Sequence, residues 1–167
     1  ISVTKMAMGS TRIMGTCAVG GQAVGTAAAL AVRYRYSPRE LGGKITELQQ
    51  LLMKDDCYIP GFANSDTMDL ARTAKVSATS ELPYHNAVNV TNGVARKIGT
   101  QENCWESDGI GDKGAKITLV WPTHKVIREV RIIFDPNLTR EIMPSITAQV
   151  KNRQVKGMPE ELVKDYT

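Results

Sequence analysis

Aromatic side chains are scarce in this 167-residue chain: Phe, Trp and Tyr make up 5% of it. The net charge is +4, and no run of Lys or Arg is interleaved with aromatic residues. The electrostatic and stacking footprint of a nucleic-acid binder is therefore missing. The three cysteines, Cys17, Cys57 and Cys104, are odd in number and far apart, so neither a disulfide framework nor a CxxC-type zinc site is expected. His85 and His124 have no second ligand within sequence reach, and no metal site is expected from them. Residues 23–32 are too few and too alanine-rich to suggest a bilayer span. No Ser/His/Asp or Cys/His arrangement suggests nucleophilic catalysis. The paired carboxylates, Asp55-Asp56 and Glu160-Glu161, are adjacent and read as solvated. The compartment is not readable.

What the chain does have is a small-residue stretch, RIMGTCAVGGQAVGTAAALAV, from Arg12 to Val32. Alanine is the best helix former, and residues 22–32 contain no charge and no proline. The reading is a glycine loop turning into a helix that starts at about Thr16 or Gly20 and ends near Arg35. Gly20 and Gly21 would let an outside group approach the unpaired N–H groups of the first turn, where the helix dipole favours an electron-rich acceptor. A phosphate-binding P-loop is excluded because Thr26 stands where its lysine must be. The G-x-G-x-x-G dinucleotide spacing is not met either. Close packing of a smooth Gly/Ala face remains the structural alternative.

The first 32 residues, ISVTKMAMGSTRIMGTCAVGGQAVGTAAALAV, resemble the C-terminal end of the FAD-binding domain in bacterial FAD-dependent oxidoreductases. The resemblance rests on Ser2, Thr4, Ala7, Ser10, Arg12, Met14, Thr16, Cys17, Gly21, Gln22, Ala23, Gly25, Thr26 and Ala27 to Leu30. It implies FAD as the cofactor, with Arg12, Met14, Gly15, Thr16, Gly20, Gly21, Gln22 and Ala23 closing the flavin site. In that picture the helix N-terminus near Gly21 faces the flavin ring, with its dipole opposing negative charge on the pyrimidine side. Arg12 would meet an anionic substrate or a cofactor phosphate; Cys17, among small apolar neighbours, reads as buried and inert. The glycine-rich unit that holds the ADP half of FAD is absent, and the chain opens at Ile1. The expectation is a C-terminal fragment whose partner is the missing N-terminal FAD-binding region, and which does not bind FAD tightly alone.

The fold class expected is α+β, in two incomplete parts: residues 1–63 as the helical end of the flavin domain, a linker at 64–73, and an antiparallel β-sandwich of jelly-roll type at 74–167. In the first part, residues 1–8 alternate weakly, as a strand or an extended return would. Ser37-Pro38 with Glu40 signals a helix start, and Gly42-Gly43 interrupts it. Leu41, Ile45, Leu48, Leu51 and Leu52 then define an apolar face. In the linker a short helical turn is expected, capped by Ser65 or Asp66. In the last part, strands are expected at 75–79, 116–121, 126–134 and 145–150, between turns such as Asn92-Gly93.

Residues 73–167 are similar to a discoidin-like, galactose-binding-like sandwich, on Val76-Ser77-Ala78-Thr79-Ser80, Val90-Thr91-Asn92-Gly93, Cys104-Trp105-Glu106-Ser107-Asp108 and Leu119-Val120-Trp121. That resemblance implies carbohydrate as a partner, with Trp105, Asn103 and Asp108 as candidate contacts and Tyr84 and His85 beside them; it also implies a core-packing position for Trp105. The function expected is that of an FAD-dependent oxidoreductase. The rivals are a carbohydrate-binding module and an accessory part of a polysaccharide-active enzyme such as a lyase.

Overall fold

The computed structural model describes residues 2–111, 114–135, 149, 162, 163 and 166. Helix α1 spans Lys5–Thr11, α2 Met14–Tyr34 and α3 Ile45–Lys54; strands β1, Lys75–Ala78, and β2, Ile117–Val120, follow. The chain divides into a unit of Ile1–His124 and a second unit of Lys125–Thr167. All five elements lie in the first.

Residues 5–11 are helical rather than extended. The Thr4 hydroxyl accepts from the Ala7 amide at 3.3 Å, and that cap together with Met and Ala outweighs a weak alternation over a few residues. α2 begins at Met14, earlier than the glycines suggested, because Gly20 and Gly21 sit inside an otherwise favourable helical run. It ends with Arg35 in the left-handed region: Tyr36 N–H bonds Ala31 O at 2.9 Å and Arg35 N–H bonds Val32 O at 3.2 Å.

The core lies between α2 and α3. Ala23, Ala27, Leu30 and Tyr34, spaced along one face of α2, pack with Leu41, Leu48 and Leu52. Leu51, Cys57 and Ile59 close the edge. Tyr34 extends this contact: its hydroxyl donates to Glu47 at 2.7 Å, and Lys44 Nζ stands 4.5 Å from its ring centre. The hydrogen bond to Glu47, with some desolvation, pushes the Tyr34 hydroxyl above its usual range. Ile45 departs from expectation. It is 51% exposed, because the helix starts there and the chain enters through a 3-10 turn, Glu40–Lys44, which supplies Leu41 to the core instead. Ser37 does pair with Glu40, donating to it from both its backbone N–H and its hydroxyl at 2.7 Å. The hydroxyl first, then the N–H, hold the Glu40 carboxyl below the usual carboxylate range.

The segment after α3 is pinned rather than loose. Gln50 accepts from Ser65 N–H at 2.7 Å and donates to Ala63 O at 3.2 Å. Its 3-10 turn, Leu70–Thr73, is capped by Asp69, not by Ser65 or Asp66. Trp121 reaches across to donate to Leu70 O at 2.8 Å.

β1 and β2 pair antiparallel, with Val76 opposite Leu119 and Ala78 opposite Ile117. These two strands lie within the expected ranges 75–79 and 116–121; a β-sandwich is not shown among the described residues. The described residues form a two-stranded sheet. Residues 126–134 keep strand-like alternation in sequence but form no ladder, and their apolar side chains are exposed, Val126 at 83%. A strand needs a neighbour to take its N–H and C=O groups, and none is present among the described residues. The expected strand 145–150 falls outside them, Gln149 apart.

Candidate functional site

The elbow between α1 and α2 is built by side chains of the second helix. Thr16 Oγ1 donates to Ser10 O at 3.4 Å and Cys17 Sγ to Thr11 O at 3.5 Å, so two C-terminal carbonyls of α1 gain partners from the first turn of α2. Cys17 is exposed, not buried as its neighbours implied. Ile13 is the N-cap of α2, in extended conformation, and makes no side-chain cap bond. The first backbone bond of the helix runs from Cys17 N–H to Ile13 O at 3.0 Å. The N–H groups of Met14, Gly15 and Thr16 therefore precede the helical ladder, at the positive end of a 21-residue helix with no acidic residue in its first turn.

Space is open at this end. Met14 is 87% exposed, and a Cβ added at Gly15 would meet nothing within 4 Å. Arg12, the C-cap of α1, is exposed beside it. An electron-rich acceptor suits this combination: N–H donors ahead of the helical ladder, a glycine with no side chain, and one cation.

Residues 1–52 match the FAD dependent oxidoreductase family. The match covers α1, α2, the Glu40–Lys44 turn and α3 as far as Leu52. It supports an oxidoreductase part in this end of the chain, with FAD as the cofactor. No curated protein and no solved structure matches the chain.

The structure divides the expected flavin residues, all within the matched stretch, into two groups. Arg12, Met14, Gly15 and Thr16 gather at the start of α2. Gly20, Gly21, Gln22 and Ala23 lie within the helix, where backbone N–H groups belong to the i to i−4 ladder. The helix N-terminus is thus at Met14, not near Gly21. Gln22 Nε2 donates to Asp55 O at 3.4 Å beyond the end of α3, and Ala23 packs toward the core. With its start at Met14, α2 is also long and apolar enough to cross a membrane by length and composition, contrary to the sequence expectation.

Of the sugar candidates, Asn103 and Trp105 make side-chain hydrogen bonds within the fold, whereas Asp108 and Tyr84 are exposed. Asn103 is buried at 6% exposure; it accepts from Asn92 at 2.7 Å and Gln101 at 3.3 Å, and donates to Arg96 O at 2.9 Å. Trp105 is half-buried and donates from its indole N–H to Ser80 O at 2.9 Å; the Asp108 backbone N–H donates to Ser80 Oγ at 3.1 Å. Tyr84 is exposed, with φ at 71°.

Sequence reasoning missed a cluster. In sequence His85 has no second ligand within reach, yet Cys104 Sγ lies 3.2 Å from its Nδ1 and a Glu106 carboxylate oxygen 3.5 Å. Donor atoms of His85, Glu102 and Cys104 all fall within 4.8 Å of one another. His85 stands 17 and 19 positions before Glu102 and Cys104, separations that match no ligand-spacing motif, which left no signal to find.

Proposed function

We propose that this chain is the C-terminal part of an FAD-dependent oxidoreductase, in which the start of α2 closes the flavin site. The observation that carries the reading is the family match over 1–52, within which the uncapped N-terminus at Met14 falls among four of the residues the resemblance assigns to the flavin. When bound, FAD supplies the electron-accepting chemistry. The chain would offer it N–H donors at Met14, Gly15 and Thr16, where negative charge on the reduced flavin would be stabilised, with Arg12 as a nearby cation. Gly15 lets the ring approach the backbone. The remaining exposed apolar surface of α2, including Val19, Val24 and Val32, is what an upstream flavin-binding region would cover. Residues beyond α3 serve as an appended structural part.

The test uses the protein encoded by the whole reading frame. The purified protein should show flavin absorption in the visible. Gly15→Leu should fold and lose bound flavin, whereas Gly21→Leu, inside the helix, should keep it. A wild type that is colourless and takes up no added FAD overturns the reading. A Gly15→Leu variant that holds flavin as tightly as wild type overturns this placement of the ring.

A further inference from the structure

The strongest unexplained feature lies far from α2 in sequence, where residues 82–85 meet 102–106. Six hydrogen bonds hold the two segments in place. Leu82 N–H donates to Glu106 O at 2.9 Å, and Glu106 N–H to His85 O at 3.3 Å. Asn89 Nδ2 donates to both Tyr84 O and Cys104 O at 3.1 Å. The Trp105 indole donates to Ser80 O, and Asn103 anchors the strand of chain between Glu102 and Cys104 from within. The side chains of His85, Glu102 and Cys104 are thereby brought together from a hydrogen-bonded backbone, and all three are half-buried.

We propose that His85 Nδ1, Cys104 Sγ and a Glu102 carboxylate oxygen form a site for a divalent transition metal of zinc type. The 3.2 Å between Nδ1 and Sγ is close to the ~3.5 Å that separates a nitrogen and a sulfur ligand on one tetrahedral zinc, given bonds of about 2.0 and 2.3 Å. The Glu102 carboxylate, within 4.8 Å, needs a movement of only about an ångström to join them. One imidazole, one thiolate and one carboxylate make a donor set of intermediate softness, suited to Zn2+ and its Co2+ surrogate and poorly suited to Mg2+ or Ca2+. Glu106, beside the same imidazole, stands within reach as a fourth ligand.

Charge is consistent with a dication. A thiolate and a carboxylate together balance it, with the thiol proton released to solvent as the sulfur–metal bond forms. Lys97 Nζ pairs with the Glu102 carboxylate, so the metal competes with an ammonium for a group already held as an anion partner. The asparagines behind the cluster act as the outer support that fixes ligand orientation.

The experiment titrates the chain with Co2+ and then with Zn2+ as competitor. One equivalent of Co2+ should bring up a thiolate-to-cobalt charge-transfer band with the visible bands of a tetrahedral ion, and Zn2+ should bleach both. Cys104→Ser should abolish the charge-transfer band, and the Cys17→Ser/Cys57→Ser double variant should retain it. His85→Ala and Glu102→Gln should each weaken binding about tenfold or more. Absence of the band in wild type, or its loss in the double variant, overturns the proposal. Should Cys104→Ser fail to fold by circular dichroism, alkylation of the wild type decides. Zn2+ should slow modification of Cys104 at least about tenfold relative to Cys17, and an unchanged rate overturns the site.

Discussion

Arg96 holds Asp56 with both guanidinium nitrogens, Nη1 at 2.9 Å from Oδ1 and Nη2 at 3.0 Å from Oδ2. The pair joins the end of α3 to a loop 40 residues onward in the chain. Both side chains are partly exposed, which sets the scale at about 0.5–1 kcal/mol, the upper part of the surface range because the geometry is bidentate. Arg96→Ala should lower unfolding free energy by that amount, measured by urea denaturation. Raising salt should shrink the difference. A double-mutant cycle with Asp56→Asn that gives no coupling would remove the pair from any stabilising role.

The helical core makes a sharper prediction. Leu52, 5% exposed between α2 and α3, should cost about 2–4 kcal/mol on truncation to Ala, since the cavity cannot fully collapse. Ile45→Ala, on the same helix but half exposed, should cost under about 1 kcal/mol. Comparable losses for the two in denaturant unfolding would contradict the packing described.

Gly93 is the glycine whose replacement the fold resists most. Its φ is +83°, and a Cβ there would stand 2.6 Å from Arg72 Nη1 and closer still to the Asn64 carbonyl oxygen. The same turn binds the post-α3 segment, with Asn64 N–H donating to Gly93 O at 2.8 Å. Gly93→Ala should therefore destabilise by about 1–3 kcal/mol or more, while Gly15→Ala, in open space within a helix, should be neutral or slightly stabilising. Thermal unfolding of the two variants side by side checks this.

Local chemistry in the sequence determined a good deal by itself. The alanine-rich composition specified a long helix, the Ser37–Glu40 spacing a side-chain contact in which Ser37 donates to Glu40, and the β-branched runs at 75–79 and 116–121 the two strands found within them. The density of the Ser2–Leu30 motif led to the flavoprotein family that residues 1–52 match. These features depend on neighbours in the chain, which is why they were readable. Tertiary structure decided the rest. Whether glycines at 20 and 21 end a helix or sit inside it depends on what the flanking turns pack against, not on glycine alone. Residues 126–134 have a strand's alternation, but a ladder requires a partner that pattern cannot supply. His85, Glu102 and Cys104 come together where the Leu82–Glu106 and Glu106–His85 backbone bonds and the Asn89 amide hold two distant segments side by side. Proximity of that kind is a property of the folded chain, since closing a loop leaves no mark on the spacing of the residues it joins.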